Sequence, residues 1–209
     1  MLAFGLRRLT DALETGMMTT MNPRDDKTRT LNELLEGVES PELGPGPRRG
    51  TRPQAELETA LKFLSPKIEL SPTTRELIRA LVFLWHDHLD TAHTISQGIQ
   101  NPDGSFIHAI LHRREPDYAN SKYWWRRVGK HPCFPEIGRR VAELLKSKRE
   151  HNLASELIPG GEWDPFALVD ACEAASDLAT SNQRVQLLRE IQRIETEVAL
   201  EHFLLREAN

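Results

Sequence analysis

Ser71 to Ile99 reads SPTTRELIRALVFLWHDHLDTAHTISQGI, and this stretch decides the fold. Ser71 offers a capping hydroxyl, Pro72 stands at or near the first helical position, and Thr73 to Glu76 has the Thr-x-x-Glu form of a capping box. Leu77, Leu81, Leu84, Trp85, Ala92, Ile95 and Ile99 then recur along one stripe, with His88 among them. The pattern predicts one long amphipathic helix running to about Ile99. His88 is expected to be buried in its apolar stripe and hydrogen-bonded.

Downstream, Asn101-Pro102-Asp103-Gly104 is a turn, and a second helix is expected over 105–115, ended by Pro116. Asp117 can cap a third over 118–128, closed by Gly129. After the link His131-Pro132-Cys133-Phe134-Pro135, another helix is expected to about Lys148. Asp164-Pro165 and Ser181 open the last two. Upstream, Leu57, Ala60, Leu61 and Leu64 form a helical stripe. Ser40 to Gln54, with four prolines and three glycines, reads as an extended linker with few long-range contacts. Residues 16–54 as a whole are expected to be mostly irregular with few long-range contacts, apart from a helix of two turns suggested by Leu31, Leu34, Leu35 and Val38, and Leu2, Leu6, Leu9 and Leu13 suggest a short helix before them. No segment alternates with period two. The expectation is an all-α protein: a compact bundle of about six helices over residues 55–209, with a mostly irregular extension over 1–54.

Charge is divided unevenly. Residues 101–150 carry 11 basic and 6 acidic side chains, whereas residues 151–209 carry 4 and 11. The basic middle either meets an anionic partner or docks on the acidic end. With two cysteines there is no disulfide framework, and no run approaches the ~18 apolar residues of a membrane span. A cytoplasmic protein is expected. Met17, Met18 and Met21 offer alternative starts, so residues 1–20 are open as native sequence.

Six of the eight histidines fall between Trp85 and His131. On the first helix His86, Asp90 and His93 share a face by spacing, and on the next His108, His112 and Glu115 do. A short turn folds the second helix back on the first, so these faces are expected to meet. Imidazoles and carboxylates on facing helices suit a divalent transition metal such as zinc, iron, nickel or manganese. The same spacing also serves plain hydrogen bonding at a helix interface. The candidate metal ligands are His86, His93, His108 and His112. As catalytic groups, these histidines would act as base or ligand and Glu115 as an orienting carboxylate. Asp90, Arg113, Arg114, Lys122 and Arg126 complete a candidate anion site. The structural alternative for the arginines is pairing with Glu115, Asp117 or the acidic C-terminal helices. Tyr123, Trp124 and Trp125 among basic residues have the makings of a base-stacking surface, but the acidic overall balance argues against nucleic acid. No histidine precedes His86, which excludes an HD-type phosphohydrolase reading of His86-Asp87.

The run Trp85-His86-Asp87-His88-Leu89-Asp90, Asp103-Gly104-Ser105, His112-Arg113-Arg114-Glu115-Pro116-Asp117-Tyr118, Asn120, Lys122-Tyr123-Trp124 and Arg126-Arg127-Val128-Gly129 resembles a family of uncharacterised proteins from bacteria and fungi. The resemblance covers residues 85–132 and implies no activity. Two functional expectations stand. One is a His/Asp/Arg-lined cleft for a small anionic ligand, with or without a metal. The other is a non-catalytic interaction module using the basic middle and acidic C-terminal surfaces.

Overall fold

The computed structural model describes residues 33–36, 39–64 and 70–205. The helical stripes read at Leu2 to Leu13, at Leu31 and at Val38 lie outside these residues. The described chain is all-α, with no strand. It holds nine α-helices: α1 (Gln54–Leu64), α2 (Pro72–Trp85), α3 (Leu89–Gln97), α4 (Pro102–Arg114), α5 (Tyr118–Val128), α6 (Phe134–Lys148), α7 (His151–Leu157), α8 (Pro165–Ala174) and α9 (Gln183–Leu205). The expected number was about six. The difference comes largely from the split of the first long helix into α2 and α3 and from the short α7, which has too few turns to show a period.

Capping residues set the boundaries. Ser71 accepts from the Thr74 amide at 3.2 Å, Asn101 from Gly104 at 2.8 Å, Asp117 from Asn120 at 3.2 Å and Asp164 from Phe166 at 2.9 Å. Gly104 also permits a close approach, because a Cβ there would lie 2.2 Å from the carbonyl oxygen of Ile99. That contact lets α4 begin directly beneath the end of α3.

Helix α4 is buried from Asp103 to Arg114, so it is the axis of the molecule. Helices α2, α3 and α5 pack on it, and α9 packs across α2, α6 and α8. Phe83, Phe106, Ile107, Leu111, Trp125, Leu188, Ile191 and Phe203 fill the space between them with almost no exposure.

The break after Trp85 is the main departure from the sequence reading. Asp87 sits at φ +64°, a left-handed conformation that ends α2. Its side chain is fully buried. One carboxylate oxygen accepts from Arg114 at 2.6 Å and from the Arg48 guanidinium at 2.5 Å, and the other accepts from the Arg48 amide at 2.9 Å. The same guanidiniums donate to the last carbonyls of α2: Arg114 to Leu84 at 2.5 Å and Arg48 to Trp85 at 2.6 Å. Burial lowers the Arg48 pKa to about 10 against the pull of Asp87. Gly46, at φ +81°, passes so close that a Cβ would lie 2.7 Å from the Asp87 carboxylate.

Residues 39–53 are irregular in backbone, as their prolines and glycines dictate, but they are not a loose linker. Arg114 donates to Glu42 and Gly44 carbonyls, Arg189 to Ser40 and Gln192 to Glu42. The expectation of few long-range contacts is therefore corrected for this segment. Its backbone has no ladder of its own, and side chains from α4 and α9 satisfy it instead. Leu34 and Leu35 are buried beside the end of α2, where Trp85 donates to Leu35 at 3.2 Å.

Removing the charge at Asp87 while keeping a residue tolerant of left-handed backbone isolates the ion-pair contribution. Asp87→Asn should destabilise the fold by roughly 3–5 kcal/mol, because two buried guanidiniums lose their counter-charge. Urea unfolding measures this, and a loss below about 1 kcal/mol, the scale of an exposed pair, would show that Asp87 does not hold the fold.

Candidate metal centre

Two helices bring His93, His108 and His112 together. His93 comes from α3, and His108 and His112 stand one turn apart on α4. Ring centroids lie 4.6 Å apart for His93 and His108, 5.4 Å for His93 and His112, and 5.0 Å for His108 and His112. One ligating atom from each lies within 4.8 Å of the others. An ion about 2.1 Å from each nitrogen would draw those atoms to separations of about 3.4 Å, a small side-chain adjustment.

The surrounding groups fix which nitrogens carry protons. The Ser96 hydroxyl donates to the His93 carbonyl at 3.2 Å, so towards His108 it acts as acceptor. It lies 3.5 Å from His108 Nδ1, which places the proton there and leaves the Nε2 lone pair. The Glu115 carboxylate lies 2.9 Å from His112 Nδ1 and orients that ring in the same sense. The Asn120 amide nitrogen donates to His112 Nε2 at 3.1 Å, so an ion on that nitrogen would displace the Asn120 side chain. Trp124 stacks on His108 with centroids 4.0 Å apart and an interplanar angle of 8°, and the Arg127 guanidinium lies 5.2 Å over the far face of that stack. Burial, then the neighbouring His93 and His112, lower the His108 pKa to about 4. Burial also lowers His112, against the opposing pull of Glu115. Both rings are therefore neutral near pH 7, the form that ligates a metal.

Other expected members of the site lie elsewhere. His86 caps α2, and the left-handed Asp87 breaks the spacing that placed it beside Asp90 and His93. Both its nitrogens are engaged: Nε2 donates to Leu34 at 2.7 Å, and Nδ1 accepts from the Arg52 amide at 3.2 Å. His86 is also absent from the group of imidazoles that converge, so the readings of His86 as ligand and base at this centre are corrected. Arg113 and Arg114 are buried in ion pairs. Arg113 meets Glu195 of α9 at 2.5 Å, and Arg114 meets Asp87, so neither guanidinium is open to an anion. Lys122 pairs with Asp170 of α8, Arg126 is exposed, and Asp90 is exposed beside a surface depression that Glu58 and Arg79 also line. His88 is half-buried, packs edge-on to Phe83 and donates to the Arg52 carbonyl at 2.9 Å.

Ser96, Asn120 and Trp124 were not expected at the site. Trp124 carried a signal, since its spacing puts it on one helix face with Ser121 and Val128, but Ser96 and Asn120 carried none. A second cluster, His131, Cys133 and His202, also brings one ligating atom from each within 4.8 Å. His131 and Cys133 frame a His-x-Cys pattern, but His202 stands on the last helix and no spacing connects it to them.

No protein-family model, curated protein or solved structure matches this chain.

The depressed pKa of His108 gives a pH signature with a definite sign. The unfolded ring takes its proton near pH 6.5 and the folded one near 4, so stability is full above 6.5 and falls as pH drops through that window. His108→Gln should flatten the denaturation midpoint between pH 6.5 and 4. A wild-type slope persisting in the variant would remove His108 as its source.

Proposed function

We propose that this protein is a metal-dependent binder of a small anion, with a divalent transition ion of the zinc class held by His93, His108 and His112. The observation that carries the reading is the convergence of three imidazoles from two helices, with Ser96 on one ring and Glu115 on another as orienting partners. Three protein nitrogens leave at least one coordination position for water or ligand. Neutral imidazoles do not cancel the ion's charge, so the ion itself supplies the attraction for an anion that Arg113 and Arg114 cannot. Glu115 and Asn120 both stand against His112, where they can take or hold a proton on a bound molecule. An ion held by His93, His108 and His112 would also lower the pKa of a bound water and supply a nucleophile. The resemblance over residues 85–132 belongs to the same proposal and adds no activity to it.

The alternative, an interaction module, rests on the separate basic and acidic surfaces. Much of that charge is paired within the fold: Lys122 with Asp170, Arg140 with Glu201 at 2.5 Å, Lys148 with Glu190 at 3.3 Å and Arg113 with Glu195. Less of either sign is left for a partner, so the metal reading is preferred.

With Cys133 replaced (Cys133→Ser) to silence the other cluster, metal-stripped protein should take up zinc in a calorimetric titration. His108→Ala and His112→Ala should each weaken that uptake at least ten-fold, whereas His86→Ala should leave it unchanged. Azide added to the cobalt-loaded Cys133→Ser protein should perturb the visible cobalt spectrum, and metal-free protein should bind no azide. Equal zinc binding by the Cys133→Ser protein with and without His108→Ala would overturn the assignment. Azide binding without metal would overturn the ion's role.

A further inference from the structure

We propose that His131, Cys133 and His202 form a second zinc-class metal site, which fastens the end of α9 to the link between α5 and α6. This inference is independent of the three-histidine centre. It stands on three converging ligands with a built second shell. His131 and Cys133 are buried, and the His202 side chain is four-fifths buried. Cys133 is a free thiol. The Asp103 carboxylate, at the start of α4, lies 3.0 Å from His131 Nε2 and 3.8 Å from His202 Nε2. It takes the Nε2 proton of His131, so the lone pair of that ring is on Nδ1. That nitrogen accepts a long hydrogen bond from the Cys133 amide, 3.3 Å, and an ion held by His131 would take the place of that amide hydrogen. The order carboxylate, histidine, ligand position is the arrangement by which proteins orient a metal-binding imidazole and raise its basicity.

The donor types narrow the ion. One thiolate with two imidazoles is soft enough for zinc, cobalt or cuprous copper and poorly suited to magnesium or calcium. Binding breaks the S–H bond of Cys133. The sulfur keeps the electron pair and gives it to the ion, and one proton leaves to solvent, so no oxidant or reductant is needed. Two of the ligands precede α6 and the third is on α9, so the ion cross-links elements some 70 residues apart in the chain. Its binding free energy then adds to folding free energy.

The thiolate makes this site distinguishable from the first, which has none. Metal-stripped full-length protein titrated with cobalt should develop a near-ultraviolet thiolate-to-cobalt charge-transfer band that saturates by two equivalents per chain, one for each centre. The band should vanish in Cys133→Ser and persist in both Cys172→Ser and His108→Ala. Asp103→Asn should retain it with affinity reduced about 10–100-fold, the usual effect of losing an orienting partner. Zinc should raise the melting temperature of His108→Ala and not that of His108→Ala/Cys133→Ser. Absence of the band from folded wild-type protein at saturating cobalt, or its survival in Cys133→Ser, would overturn the proposal and leave the three-histidine reading untouched.

Discussion

The carboxylate of Asp87 is the constraint on which the rest of the structure depends. Helix α2 ends in the interior, where its last carbonyls have no water to accept from. Arg48 and Arg114 supply the missing donors, and cations at a helix C-terminus are also favoured by the helix dipole. Two guanidiniums brought there without an anion would be prohibitive to bury. Asp87 makes them affordable by turning its side chain back through a left-handed residue. One local distortion thus ends a helix, neutralises two charges and ties in residues from two distant parts of the chain. Gly46 can lie against the carboxylate only because it has no Cβ.

The same arrangement recurs one residue earlier on α4. Arg113 is wholly buried and meets a wholly buried Glu195 from α9. Burial pushes the Glu195 carboxyl upward, and Arg113 opposes that shift. A buried pair of this kind adds little net stability over apolar replacements. Its clear consequence is selectivity: only one register of α9 across α4 provides the partner. The excess of positive charge in residues 101–150 and of negative charge in residues 151–209 is therefore partly an assembly code within the chain.

How far the sequence could be read follows from the range of the interactions involved. The all-α class was legible because helix caps and apolar stripes are local: Ser71, Asp117 and Asp164 lie at the starts their residue types suggest, whereas α4 starts at Pro102, inside the expected turn, with Asn101 as its cap. The break at Asp87 was not legible. Aspartate at that position looks helical unless Arg48 and Arg114 are known to converge on it, and they lie 39 and 27 residues away. The error carried straight into the site: with one continuous helix assumed, His86 joined His93, and with a break it does not. His108, His112 and Glu115 share an unbroken helix up to its cap, so their spacing translated directly into proximity. Residues 39–53 were misjudged for a related reason. Proline and glycine describe backbone shape well, but they say nothing of which distant arginines will use the carbonyls.

Helix α4 also explains why histidine clusters lie where they do. A helix buried on all sides is ordinarily apolar all round. This one buries Asp103, His108, His112, Arg113 and Arg114, and each such group costs free energy unless paired. The two arginines have carboxylates. Asp103 has His131. His108 has Ser96 on Nδ1, and His112 has Glu115 on Nδ1 and Asn120 on Nε2; beyond these, the two rings face only each other and His93. Neutral imidazoles can exchange one weak hydrogen bond between them, and protonating any one sets it against its neighbours. A cation with open coordination positions satisfies several lone pairs at once without adding like charge to any ring. The physical case for an ion at this place is thus the same pairing requirement that the rest of α4 meets with arginine and aspartate.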